Sequence, residues 1–368
     1  MTDGDWSDAH FSKILRSFAI YFSKFLRSVS TRNQSPTPSA NARQRTRSRG
    51  PANGMLKGMT TTYTSHTINF GARGHDITTA TDFDSLADGL AAQGAHCTQL
   101  ALGKSFPHMP SGAAAINPGM GERCRLALAA RGVSVAVMGC YVNPMDKSGG
   151  EREAAVATFE AYLRHARYFG APVVGTHPGR LTPDGGDGGE SPAAWAEFVD
   201  LVRRLADVGE RFGAIVGLEP CPHHALHDLD STERLLDAVD SPFLGIILDP
   251  AGHALDDPAG NDAADPRDPA EREVAVTEAA FRRFGERIVA FHLKDFTVPS
   301  GTAPSATKSA AGTAPSAAAE ITPCQIGDGI APVARLLEIV DAHRPYLPVI
   351  TEGTLDDRIG ETIRQFAD

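Results

Sequence analysis

Leu244-Gly245-Ile246-Ile247-Leu248-Asp249-Pro250 is an apolar run closed by an acid and a proline. An unbroken run of this length fits a strand buried on both faces, as in a parallel sheet, better than the alternation of a half-exposed strand. Proline has no N–H to extend a ladder, so Asp249 falls at the C-terminal end of the strand. Similar runs occur at Ala214–Glu219, which precedes Pro220, and at Ile288–Leu293, Leu347–Glu352 and Pro172–His177. Upstream, Thr67–Ala72, Cys97–Leu102 and Val133–Val142 complete a set of eight candidate strands.

Longer amphipathic stretches alternate with them: Asp82–Gln93, Gly121–Arg131, Glu151–Phe169, Ala193–Phe212, Ser231–Val239, Pro269–Phe284, Ile330–His343 and Leu355–Phe366. Ser231 and Thr354 stand where a hydroxyl can cap a helix ahead of acidic first-turn residues. Strict alternation of strand and helix indicates repeated βα units. Eight of each predict an α/β protein with a (β/α)8 TIM barrel. No G-x-G-x-x-G follows the first strand, which removes the usual sign of a dinucleotide site on an open sheet.

The chain has 368 residues, 42% hydrophobic and 22% charged, enough for one large barrel with an extension. Residues 1–57 carry ten Lys/Arg against three Asp/Glu, leaving 25 basic and 42 acidic residues for 58–368, a net of −17. We therefore expect a basic N-terminal extension outside an acidic barrel. Within the extension, Phe11, Ile14, Leu15, Phe18, Phe22, Phe25 and Leu26 share one helical face. No run of 18 or more apolar residues is present, so stable membrane insertion is not expected. The acidic body argues against nucleic acid as a partner, since phosphate binding needs clustered Lys and Arg. Five widely spaced cysteines without a C-x-x-C pair fit a reducing, cytoplasmic setting. Residues 298–319, rich in Ala, Ser, Thr, Gly and Pro with Lys308 as their one charge, read as a low-complexity loop after the seventh strand.

Five candidate strands end in or beside His177, Glu219, Asp249, His292 with Lys294, and Glu352. In a barrel these ends converge on one mouth. Taken singly, each is equally a salt bridge or a strand-end cap. Several buried carboxylates aimed at one spot, however, need a cation to offset their desolvation. Three carboxylates and one imidazole make an oxygen-rich site suited to one divalent metal ion, Mn²⁺ before Mg²⁺, Co²⁺ or Zn²⁺.

The sequence resembles the xylose isomerase-like TIM barrels, a group that includes ketose 3-epimerases, inosose dehydratases, sugar phosphate isomerase/epimerase-type proteins and apurinic endonucleases. The resemblance runs from Ile68 to the C-terminus. Glu219-Pro220, Leu248-Asp249-Pro250, His292-Leu293-Lys294-Asp295, Gly327-Asp328-Gly329 and Glu352 carry it. It implies Glu219, Asp249, His292 and Glu352 as ligands of a single metal ion. It also implies a small carbohydrate as substrate, with homo-oligomerisation common in the group. The endonuclease branch needs further ligands: here Gly252 occupies one such place, with His253 one residue later, and Thr322-Pro323-Cys324 stands for an Asp-x-His.

With one metal and two glutamates, the expected chemistry is proton abstraction beside a carbonyl through an enediolate, with Glu219 and Glu352 as acid/base groups. That is an isomerase or epimerase acting on a sugar or sugar phosphate. The alternatives are an inosose-type dehydratase, an apurinic endonuclease-like hydrolase and a non-catalytic sugar-binding barrel. His177, His253 and Lys294 are candidate substrate-binding residues. Lys294 shares a strand face with His292 two residues before it. His75 lies just beyond the first strand, and the glycine-rich 184–190 lacks the Lys-Ser/Thr of a phosphate cradle.

Overall fold

The computed structural model describes residues 68–145, 151–179, 191–222, 224–253, 268–298 and 321–367. The proposed extension 1–57, residues 299–319 of the low-complexity loop and the glycine-rich 184–190 lie outside them. All described residues belong to one compact unit, Tyr63–Asp368.

Seven strands run in chain order: β1 (Asn69–Arg73), β2 (Cys97–Leu100), β3 (Ser134–Gly139), β4 (Val173–Thr176), β5 (Ile215–Leu218), β6 (Leu244–Leu248) and β7 (Ile288–Leu293). A short antiparallel ribbon follows, β8 (Asp295–Thr297) with β9 (Thr322–Cys324), and then β10 (Pro348–Thr351). The barrel closes in the order β1-β10-β7-β6-β5-β4-β3-β2, every pair parallel. Helices α1 (Phe83–Ala92), α2 (Pro118–Ala129), α3 (Glu151–Phe169), α4 (Pro192–Phe212), α5 (Leu229–Val239), α6 (Pro269–Phe284), α7 (Val333–His343) and α8 (Asp357–Ala367) occupy the positions the sequence implied. The (β/α)8 expectation is met.

Helix α4 shows how the outer layer is built. Phe198, Val199, Leu201, Val202, Leu205, Ala206 and Gly209 are its buried residues, spaced as one face of a 3.6-residue period requires. Ser191 accepts a hydrogen bond from the Ala194 N–H at 3.1 Å, Pro192 fills the first turn, where no N–H is needed, and Gly213 in the left-handed region ends the helix. Inside the barrel a separate cluster of smaller side chains, including Cys97, Val137, Val173, Ile247, Ala290 and Ile350, packs the narrow interior. The mouth above this plug is thus floored by apolar packing.

Two expected caps are corrected. Helix α5 begins at Leu229, capped by Asp228, whose Oδ1 accepts from the Ser231 N–H at 2.7 Å; Ser231 is the reciprocating third residue of the capping box. Thr354 does not cap α8: its buried Oγ1 accepts from the Ile326 N–H at 3.1 Å.

Candidate metal centre

Glu219, Asp249 and Glu352 each follow the last residue of a strand by one position, while His292 lies within β7. The Glu219 and Glu352 N–H groups still donate to the neighbouring strands, at Thr176 O (3.0 Å) and Leu293 O (2.9 Å). Each side chain is therefore held to the barrel geometry as the backbone turns away. One ligand atom from each of the four residues lies within 4.8 Å of the others. Two ligands each about 2.0–2.6 Å from one ion stand no farther apart than roughly 5 Å, so the spacing accommodates a single divalent cation.

His292 is fully buried, and its Nδ1 donates to Glu219 Oε1 at 3.0 Å while lying 3.1 Å from Glu352 Oε2. Its Nε2 donates to Gln99 Oε1 at 2.9 Å. Burial disfavours a charged imidazole, yet the two carboxylates outweigh it and raise His292 to about 10. Conversely, burial opposes ionisation of Glu219, but His292, with smaller contributions from His177 and Lys294, holds its pKa down at about 2. Glu352 is held well below the ordinary range against the same burial, by His292, Lys294 and Arg73. Lys294 Nζ bonds to Asp249 and stands 3.4 Å from Glu352 Oε1, so a second cation sits among the acids.

The residues fit a divalent metal. Asp249 Oδ1 is buried without a hydrogen-bond partner among the described residues, and Glu352 Oε2 meets there only the His292 Nδ1 at 3.1 Å. A buried carboxylate oxygen left unpaired beside other acids is a fitting ligand for a divalent cation.

The remaining sequence candidates fall at different places. His177, just past β4, has Nδ1 3.8 Å from Glu219 Oε2 and 3.5 Å from Cys221 Sγ, so it joins the cluster. His253 is buried on the turn Ala251–His253 after β6, outside the four-residue cluster. His75 lies on the turn after β1, and burial, Arg73 and Lys104 lower its pKa to about 4.

Sequence reasoning missed the contributions of the first three strands. Arg73, ending β1, donates from Nε and Nη2 to the two Asp76 oxygens at 2.8 and 2.9 Å and from Nη1 to Glu352 Oε1 at 2.5 Å. Gln99 on β2 holds His292 and donates from Nε2 to the Tyr141 hydroxyl at 2.6 Å. Tyr141 lies two residues past β3. The available signal was Gln99 itself, an amide inside the fully buried strand Cys97–Leu100.

Asp295 proves structural. Its carboxylate accepts from the N–H groups of Phe296 and Ala331 at Oδ1 (2.8 and 2.9 Å) and of Gly327 and Gly329 at Oδ2 (2.8 and 2.9 Å). A Cβ on Gly329 would stand 2.2 Å from Asp295 Oδ1, which explains the glycine in this turn.

An eight-stranded parallel barrel whose strand ends gather three carboxylates and a histidine defines a (β/α)8 protein with a candidate divalent-metal centre. The chain belongs to the xylose isomerase-like TIM barrel family, whose model matches residues 88–364. No curated protein matches it by sequence. Among solved structures it is similar to a xylose isomerase-like TIM barrel protein from Mycobacterium smegmatis in complex with magnesium (TM-score 0.55, 17% identity, covering 83% of this chain and 97% of that one). It is also similar to D-psicose 3-epimerase from Clostridium cellulolyticum H10 (0.54, 14%, 82% and 91%). A third similar structure is a probable 3-DHS dehydratase from Bacillus anthracis (0.56, 15%, 82% and 99%). No helix among the described residues is long and apolar enough to cross a membrane.

Proposed function

We propose that the protein is a divalent-metal-dependent carbohydrate isomerase or epimerase, with Glu219, Asp249, His292 and Glu352 holding the ion and Glu219 and Glu352 moving the proton. The observation that carries this reading is the placement of two glutamates from different strands against one buried imidazole nitrogen, 3.0 and 3.1 Å away, both held ionised. The similar structures from an epimerase and a magnesium complex support the same chemistry for this fold.

A divalent ion bound here supplies charge stabilisation for a substrate oxygen as an adjacent carbon loses its proton. Glu219 and Glu352 serve as base and conjugate acid on that carbon. Asp249 contributes charge to the ion, and Lys294, between Asp249 and Glu352, is placed to meet a substrate oxygen. His177 beside Glu219 is suited to a hydroxyl. The buried floor limits water at the carbon that carries charge.

The test is incubation of Mn²⁺-loaded protein in D₂O with ketoses, aldoses, their phosphates and inososes, followed by NMR. The true substrate should gain deuterium at the reacting carbon while changing configuration or carbonyl position. Loss of water would identify a dehydratase instead. Glu352→Gln should lower turnover by roughly a hundredfold or more. Turnover near that of the parent protein would remove Glu352 as an acid/base group.

A further inference from the structure

The site holds a hydrogen-bond donor that the proposed chemistry has not yet used. Gln99 Oε1 is committed to the His292 Nε2–H, so its amide end must face Tyr141 and donate to the phenol oxygen. That oxygen already accepts one bond. Its own proton has no acceptor among the described residues.

The ring is fixed in place. Val142 N–H donates to Cys140 O at 2.9 Å, so Tyr141 sits at the apex of a three-residue turn, while Cys140 N–H remains bonded to Gly175 O at 2.8 Å. Lys104 Nζ lies 4.0 Å from the ring centroid and the His177 ring 5.3 Å away. A Cβ on Gly139 would stand 3.0 Å from Tyr141 Cε2, so the glycine gives the ring its room. The hydroxyl is near the metal-centre acids: burial first, then Glu219 and Glu352, push the phenol pKa well up, keeping it a donor.

We propose that Tyr141 is a substrate-contacting residue, donating its O–H to the substrate oxygen that becomes an oxyanion when the neighbouring carbon is deprotonated, with Gln99 fixing the direction of that bond. The assignment rests on the isomerase/epimerase reading. No covalent step is assigned to Tyr141. Its contribution is a preorganised donor at the place where charge develops.

The test separates this assignment from the metal centre. Mn²⁺ is titrated calorimetrically into metal-free protein, and glycolohydroxamate, a small anionic mimic of an enediolate, is then titrated into the Mn²⁺-loaded form. Tyr141→Phe should bind Mn²⁺ within about twofold of the parent protein and bind glycolohydroxamate roughly tenfold or more weakly, as loss of one bond to a charged oxygen implies. Equal hydroxamate affinity in the two proteins overturns the role of Tyr141 and leaves the metal centre standing. Loss of Mn²⁺ binding in Tyr141→Phe shows a structural role and also overturns it. A parent protein that takes up Mn²⁺ but no hydroxamate removes the oxyanion subsite, and one that takes up no Mn²⁺ overturns both readings.

Discussion

Lys294 is the residue whose dual position can be resolved by a single substitution. Its ammonium bonds to Asp249 and lies 3.4 Å from Glu352, and these charges, with Glu219, raise its pKa against the cost of burial. In the metal-free chain it neutralises acids that a divalent ion would otherwise neutralise. It would therefore be both a like-charge neighbour of an ion bound there and a candidate contact to substrate. Lys294→Met should tighten Mn²⁺ binding by about tenfold, because a partly buried positive charge is removed at a few ångströms. It should also lower the thermal stability of the metal-free form. Calorimetric titration and a melting curve check both, and unchanged Mn²⁺ affinity would show that Lys294 swings away from the ion.

Helix α6 carries an unexplained burden. Glu273 on its first turns is completely buried, and neither carboxylate oxygen has a hydrogen-bond partner among the described residues. Burial, and then Asp249 and Asp295, raise its pKa to about 9. Between its ordinary value of 4.5 and about 9, the unfolded chain has lost this proton while the folded chain keeps it. The unfolded state therefore binds fewer protons across that window, and stability falls as pH rises. Glu273→Leu should stabilise the metal-free protein by on the order of 4 kcal/mol more at pH 8 than at pH 5. Melting temperatures at the two pH values provide the measurement, and a gain independent of pH would show that Glu273 is ionised in the fold.

For the molecule as a whole, the barrel was legible because parallel strands buried on both faces appear as unbroken apolar runs, and each was followed by an amphipathic stretch. The second half of the site was legible for a related reason: Glu219 and Asp249 are charges placed between such a run and a proline. The first half carried no comparable mark. Arg73 gains its meaning only through Asp76 and Glu352, Gln99 only through His292, and Tyr141 only through a turn beyond β3. The β8–β9 ribbon was hidden because three-residue strands, one containing Pro323, have no measurable period. Ser231 and Thr354 were misread for the opposite reason, since a hydroxyl near a helix start satisfies the cap pattern locally while its actual partner depends on where the chain enters. Local composition marks where a strand stops, but contacts between residues far apart in sequence decide what its last side chain does.

The imidazole nitrogen wedged between Glu219 and Glu352 would make cation uptake at the proposed centre an exchange reaction. With His292 raised to about 10, the metal-free protein holds a proton at Nδ1 at neutral pH, on the face where the carboxylates converge. The same nitrogen cannot retain that proton and coordinate an ion, so each ion bound should expel one proton to the solvent. Apparent Mn²⁺ affinity should rise about tenfold per pH unit from neutrality toward about 10, then level off. Titrations in buffers of different ionisation enthalpy count the released protons directly. One proton per ion is expected, and none would show that His292 stays outside the coordination sphere. Acidification of the surroundings would then empty the centre and alkalinisation would fill it, making the protein's ion content a record of local proton activity.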